Sequence, residues 1–201
     1  PAINIHAHLH DTGVDPSRGA EQLLAIMDAC NIRALVDLDG GVGEVLRGKM
    51  GQYPAASPDR LLVFAHVWFG NVLTSWPYFY EQKVAALDEA KSLGVRGIKI
   101  WKNLGLVTRD ERRRVIAVDD PRLEPLWEKA GVLKLPILIH LADPEPFFHP
   151  ADARNERYEE LAYLPLDAAW LPRGGWAHPR FPRPAQIRAQ FERVLERHAD
   201  V

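Results

Sequence analysis

The sequence predicts an α/β protein organised around a parallel sheet, and two features carry that prediction. Short apolar runs alternate with segments whose apolar residues recur at helical spacing, the pattern of successive βα units. Two of the runs, Leu61-Leu62-Val63-Phe64-Ala65 and Ile137-Leu138-Ile139, are apolar without a break, as strands covered on both faces are.

The elements follow in order. Residues 3–8 form the first strand. A helix comes next, with Ala20, Leu23, Leu24 and Met27 spaced to share one face. Residues 34–38 are the second strand, closed by a Gly40-Gly41 turn, and residues 61–67 are the third. Tyr80, Val84, Leu87 and Ala90 line a helix that Gly94 terminates. Residues 95–101 are the fourth strand. Leu123, Leu126, Trp127 and Ala130 mark a helix whose first turn tolerates Pro125. Residues 136–140 are the fifth strand, and a last helix begins near Pro184 with Ile187, Phe191, Val194 and Leu195. Each helix should return right-handed over the sheet. An open doubly wound sheet and part of an eight-stranded barrel both fit. The first turn lacks a G-x-G-x-x-G fingerprint, which speaks against nucleotide binding.

Two stretches break the alternation. Residues 103–120 carry the charge run Thr108-Arg109-Asp110-Glu111-Arg112-Arg113-Arg114 before Val115-Ile116-Ala117-Val118, a hairpin arm with a solvated tip; a carboxylate-binding arginine is the sharper alternative. Residues 143–183 form a long connection after the fifth strand, rich in prolines, aromatics and charges. Connections of that length in a compact domain are usually functional.

Composition narrows the class. The 201 residues suit one domain or a piece of a larger one, with 47% hydrophobic and 26% charged residues. A net charge of -2 and no concentrated basic face argue against nucleic acid and acidic membrane surfaces. No apolar run approaches the ~20 residues of a membrane helix. The single Cys30 excludes an internal disulfide and fits a buried helix position. The chain opens on Pro1-Ala2 without an initiator Met, so the compartment stays open.

The chemistry concentrates in His6-Ala7-His8. Alternate side chains of a strand share a face, so Asn4, His6 and His8 point one way and Ile3, Ile5 and Ala7 the other. Two imidazoles one pleat apart can converge on a metal, each nitrogen ~2.0–2.1 Å from zinc. The pair alone is a weak signal, since shuffling eight histidines through this length gives roughly 0.3 such pairs. His10 overlaps it, in the following loop. His140 ends the fifth strand; with Leu138 and His140 inward, His6, His8 and His140 face one mouth at the strand C-termini, where βα barrels keep their active sites. Three neutral imidazoles leave room for water, as a catalytic metal requires. Lys99 sits inside an apolar run, where an ammonium is costly unless paired or neutralised. An inward ion pair is the first expectation; substrate contact and a carbamate bridging two metals are the others. Lys102 is expected in solvent or bonded to a loop.

Three segments, Ile5-His6-Ala7-His8-Leu9, Gly94-Val95-Arg96-Gly97-Ile98-Lys99-Ile100-Trp101 and Leu135-Pro136-Ile137-Leu138-Ile139-His140, together resemble the amidohydrolase-related branch of the metal-dependent hydrolase superfamily. Ala142-Asp143-Pro144, Phe147-Phe148, Asn155-Glu156-Arg157-Tyr158 and Arg193-Val194-Leu195-Glu196-Arg197-His198 extend the likeness nearly end to end. The resemblance implies a (β/α)8 TIM barrel of which about five βα units are present, forming one domain over residues 1–201, with residues 143–183 as a possible lid. It implies metal ligands at His6, His8 and His140, one divalent ion, most simply zinc, and a metal-activated water attacking a C–N, C–O or lactone bond of a small molecule. The family's sixth strand normally adds a histidine and its eighth an aspartate. Both fall beyond Val201, so the catalytic residues stay unassigned and the chain is expected to be a fragment; alone, its unpaired edge strands would favour a homo-oligomer. Dihydroorotases and phosphotriesterases, which hold two metals, carry a carbamylated lysine on a strand comparable to that of Lys99. By position, Asn4, deeper on the ligand face, is a support for the ligands, His66, Trp68 and Trp101 near strand ends are candidate substrate contacts, and His149, Trp170, Trp176 and His178 in the long loop are candidate lid residues. Relatives such as aminocarboxymuconate-semialdehyde decarboxylase make a metal-dependent decarboxylase the alternative, and a barrel remnant serving as scaffold or binding module is the third reading.

Overall fold

The computed structural model describes residues 1–9, 19–69, 76–163 and 175–199. Within them β1 (Ala2–Ala7), β2 (Ile32–Asp37), β3 (Leu61–Val67), β4 (Gly97–Ile100) and β5 (Ile137–Ile139) form one all-parallel sheet in the order β1-β2-β3-β4-β5. The order never reverses, so the doubly wound alternative falls. The sheet curls into a half-barrel.

Helices α1 (Gly19–Ala29), α2 (Glu44–Gln52), α3 (Trp76–Ser92), α4 (Glu124–Val132), α5 (Tyr158–Tyr163) and α6 (Pro184–Arg197) complete the regular structure together with two short 3-10 turns. The sequence reading missed α2, because Leu46 is its one buried side chain and Gly48 and Gly51 interrupt any apolar stripe. The other long helices bury the expected residues: Leu23 and Met27 of α1, Leu87 and Ala90 of α3, Leu126, Trp127 and Ala130 of α4, and Ile187 and Val194 of α6. Leu195, expected on that last face, is instead exposed, and so is Cys30, which lies just past the end of α1 rather than under it.

Period-two alternation divides the sheet into two faces. Leu61, Val63, Ala65 and Val67 of β3 and Ile98 and Ile100 of β4 turn outward and are at most 1% exposed. Most of them join α3 and α4 in the main core, against which Ile137 and Ile139 also pack. The opposite, inner face carries Leu62, Phe64 and His66, all half-buried, with Gly97 and Lys99 beside them in register. Phe64 explains two glycines. A Cβ on Gly97 would lie 2.5 Å from the Phe64 ring, and one on Gly40 would collide with the Phe64 carbonyl.

One ion pair lies under a helix. Asp37 ends β2 in register with Val63, on the outward face, and is 1% exposed. Lys49 of α2 donates to its Oδ2 at 2.6 Å. The hairpin arm is also present, with Arg109 bridging Val115 in antiparallel fashion. Asp110 is buried at its root and accepts the backbone N–H groups of Arg112 and Arg114 and the Arg114 guanidinium, while residues 111–114 stay exposed. The charged tip is solvated, as read.

Lys49→Met strands the Asp37 carboxylate in the core and should cost about 3 kcal/mol in urea unfolding. Lys129→Met, which breaks the exposed pair with Asp88, should cost less than about 1 kcal/mol in the same assay.

Candidate functional site

The strand C-termini bring five nitrogen-bearing side chains toward one inner face. At the end of β1 the register with β2 slips: Asn4 pairs with Leu35, but Ala7 pairs with Asp37. The slip breaks the simple alternation expected of this strand. Asn4 does not support the ligand rings; its Oδ1 accepts the backbone N–H of His6 at 3.0 Å and pins the irregular turn of chain. Ile3, in register with Ala34, and Ile5 are 60% and 61% exposed, because no further strand covers this edge among the described residues. His6 and His8 flank Ala7, and their ring centroids are 5.2 Å apart with planes tilted by 59°.

Asp39 is the residue that sequence reasoning missed. It lies two positions past β2 and its Oδ1 is 2.8 Å from His8 Nδ1. Its own N–H donates to Asp37 Oδ1 at 3.0 Å, so the buried carboxylate below fixes the loop that presents Asp39. The signal was available: an aspartate directly before Gly40-Gly41, at the strand end where barrel active sites gather.

His66 and Lys99 are register partners on β3 and β4. Lys99 is fully buried, and among the described residues neither its Nζ nor His66 Nε2 has a hydrogen-bond partner. Among the described residues the ion pair expected for Lys99 is not made. Asp39 bonds His8 and acts on Lys99 through its field. Burial lowers the Lys99 ammonium from its ordinary range, against that field. Burial also pushes His66 down to about 4, with Asp39 opposing and Lys99, His8 and Lys83 assisting. His66, Trp68 and Trp101 form a ring cluster, with centroids 5.8 Å (His66–Trp68), 6.0 Å (His66–Trp101) and 5.5 Å (Trp68–Trp101) apart.

His140 follows β5, and its N–H donates to the Ile100 carbonyl at 2.9 Å. Leu138 is in register with Lys99, so alternation brings His140 to the inner face as read. Its Nε2 lies 3.8 Å from Asp143 Oδ1. Burial lowers its pKa, as do the fields of Lys102, Lys99 and His6, while Asp143 raises it. His6 is lowered too, by burial, Lys99 and His8, against Asp39. Among the described residues no three His, Cys, Asp or Glu side chains already stand close enough to hold a metal ion together.

Lys102 is loop-bonded, as expected, and nearly buried. It donates to both oxygens of Asp143, at 2.8 and 2.7 Å, and Trp176 Nε1 donates to the same carboxylate at 2.6 Å. Trp176 is only 2% exposed and packs edge-on against Phe181, so it is a structural anchor and not a lid residue. His178 accepts the Arg180 N–H locally, and His149 is exposed near Glu145. His10 and Trp170 lie outside the described residues. A cavity of about 410 Å³ opens elsewhere, between β5, α4 and α6. No family model matches the chain, and no curated protein matches it.

The histidine shifts predict a pH dependence. An unfolded histidine takes up its proton near 6.5, but folded His66 does so only near 4. Between these values the unfolded chain binds protons that the folded chain refuses, so stability falls as pH drops. His6 and His140 are shifted the same way and add to the effect. The urea midpoint should fall from pH 7 to pH 5, and His66→Phe should flatten that fall.

Proposed function

We propose that this chain is a metal-dependent hydrolase of the amidohydrolase-related type, its half-barrel being the first five strands of a (β/α)8 barrel. The observation that carries the proposal is the His6–His8 pair, with His8 held by a carboxylate and His140 facing the same side close enough to feel His6. The donor chemistry suits zinc. Partial desolvation and neighbouring cations lower the pKa values of His6 and His140, which favours the neutral rings whose lone pairs would bind. Asp39, accepting from His8 Nδ1, holds that ring in the tautomer whose Nε2 is the donor.

His6, His8 and His140 would hold the ion. Lys99, as a carbamate, is the further candidate ligand, and without one a single metal is the simpler arrangement. Zinc bound there supplies Lewis acidity, acidifying a water and polarising a substrate oxygen. The chain's own contribution is orientation and shielding. Asp39 and Asp143 sit behind two of the imidazoles, while His66, Trp68 and Trp101 wall the mouth and exclude water from a small molecule with a C–N, C–O or lactone bond. The groups that move protons would come from the sixth and eighth strands.

A metal-dependent decarboxylase is the second reading. One observation favours it: the inner face presents an unneutralised lysine, suited to a carboxylic acid. Among the described residues no helix is long and apolar enough to cross a membrane.

Zinc titration followed by dialysis and elemental analysis should leave about one zinc per chain. Asp39→Ala should weaken zinc affinity by about 10–100-fold, and His6→Ala with His8→Ala should abolish retention. A well-folded chain that takes no metal overturns the proposal in favour of a scaffold. Turnover of esters, lactones or amides, set against carbon dioxide release from aromatic or unsaturated carboxylic acids, separates the two enzyme readings.

A further inference from the structure

We propose that Lys99 Nζ and His66 Nε2 together receive one carboxylate oxygen of a planar organic acid entering from the mouth of the half-barrel. This deepens the functional reading, on which it rests only for the mouth being a substrate site. His66 is outside the candidate ligand set, and Lys99 acts here as its free ammonium, which excludes the carbamate; both nitrogens are buried and lack a hydrogen-bond partner among the described residues. Folded proteins leave few buried polar atoms unpaired, and a fully buried ammonium without an acceptor is the most costly kind.

The register explains why one atom can serve both. His66 and Lys99 are partners on adjacent parallel strands about 4.8 Å apart, so their side chains leave the same face side by side. A carboxylate oxygen accepts two hydrogen bonds, one from the Lys99 ammonium and one from His66 carrying its proton on Nε2. The local charge agrees. The fields of Lys99 and Lys83 both act on His66, and the opposing carboxylate, Asp39, is engaged by His8.

The flanking rings set the rest of the ligand. Trp68 and Trp101 stand against His66 and against each other, offering ring faces and edges to a flat molecule. The pair is closed off as it stands. Trp68, at 41% exposed, is the more solvent-facing of the two indoles and marks the side from which a ligand would enter.

Sodium benzoate is the probe and benzamide its neutral control, titrated by calorimetry into the full chain treated with chelator. Benzoate should bind about tenfold or more tighter than benzamide, the discrimination expected of a charged hydrogen bond. Lys99→Met should remove that preference while the thermal unfolding profile stays cooperative. As a check that needs no variant, benzoate should shift the His66 Nε2 resonance in nitrogen-15 spectra and leave His8 unmoved. Equal binding of the two probes, no binding of either, or a preference that survives Lys99→Met would overturn the proposal. Because the metal is stripped, a chain that fails to take zinc can still pass this test, and one that takes zinc can still fail it.

Discussion

A single buried carboxylate organises the candidate site. Asp37 Oδ1 accepts the N–H of Leu9 at 3.3 Å and that of Asp39 at 3.0 Å, and Oδ2 takes the Lys49 ammonium at 2.6 Å. Those bonds tie the chain leaving β1, the chain leaving β2 and helix α2 to one point. The two segments it fixes are those that present His8 and Asp39. Asp37 therefore acts at one remove: it touches no candidate ligand, yet it holds the frame in which Asp39 meets His8. A charge this deep is tolerable because it is paired and hydrogen-bonded on both oxygens.

The far side of the sheet repeats the device with different parts. Asp143 gathers Lys102, Trp176 Nε1 and the approach of His140. It thereby docks the long connection after β5 against the end of β4. Each of the first and fifth strands thus ends in a histidine with an aspartate behind it, supplied by the following loop of a neighbouring strand or of its own. Between the two, His66 and Lys99 lie on the inner face, and among the described residues no carboxylate is bonded to His66 Nε2 or Lys99 Nζ. Burial and the fields of neighbouring cations lower the pKa values of His6, His66 and His140, which favours the neutral rings that can bind a cation.

The curl of the sheet decides what is buried. Its outward face is sealed by α3 and α4, and residues there are close to fully buried. The inner face and the two edge strands are less covered among the described residues, so Ile3 and Ile5 are exposed and Leu138 is half-buried. Edge strands carry unpaired backbone groups that favour further pairing. The inner face is where a barrel would place its own packed interior and its mouth.

Local chemistry made much of this legible. Apolar periodicity located the third strand at its observed limits and picked out the buried faces of α1, α3 and α4, because burial of one face leaves a period in the residues that serve it. The His6–His8 pair was legible as a motif, and the two rings stand close together even though the slip interrupts the strand's alternation. Helix α2 left no such period. The slip in register beside Asn4, the bond from Asp39 to His8 and the isolation of Lys99 left no trace in spacing. Each depends on which strands lie side by side and how far they are offset, and those offsets are set by contacts between residues far apart in the chain. Sequence alone therefore determined which side chains travel together on one element; the tertiary structure decided which of those groups meet, because only the stacking of strands in a curled sheet brings separate elements within bonding distance.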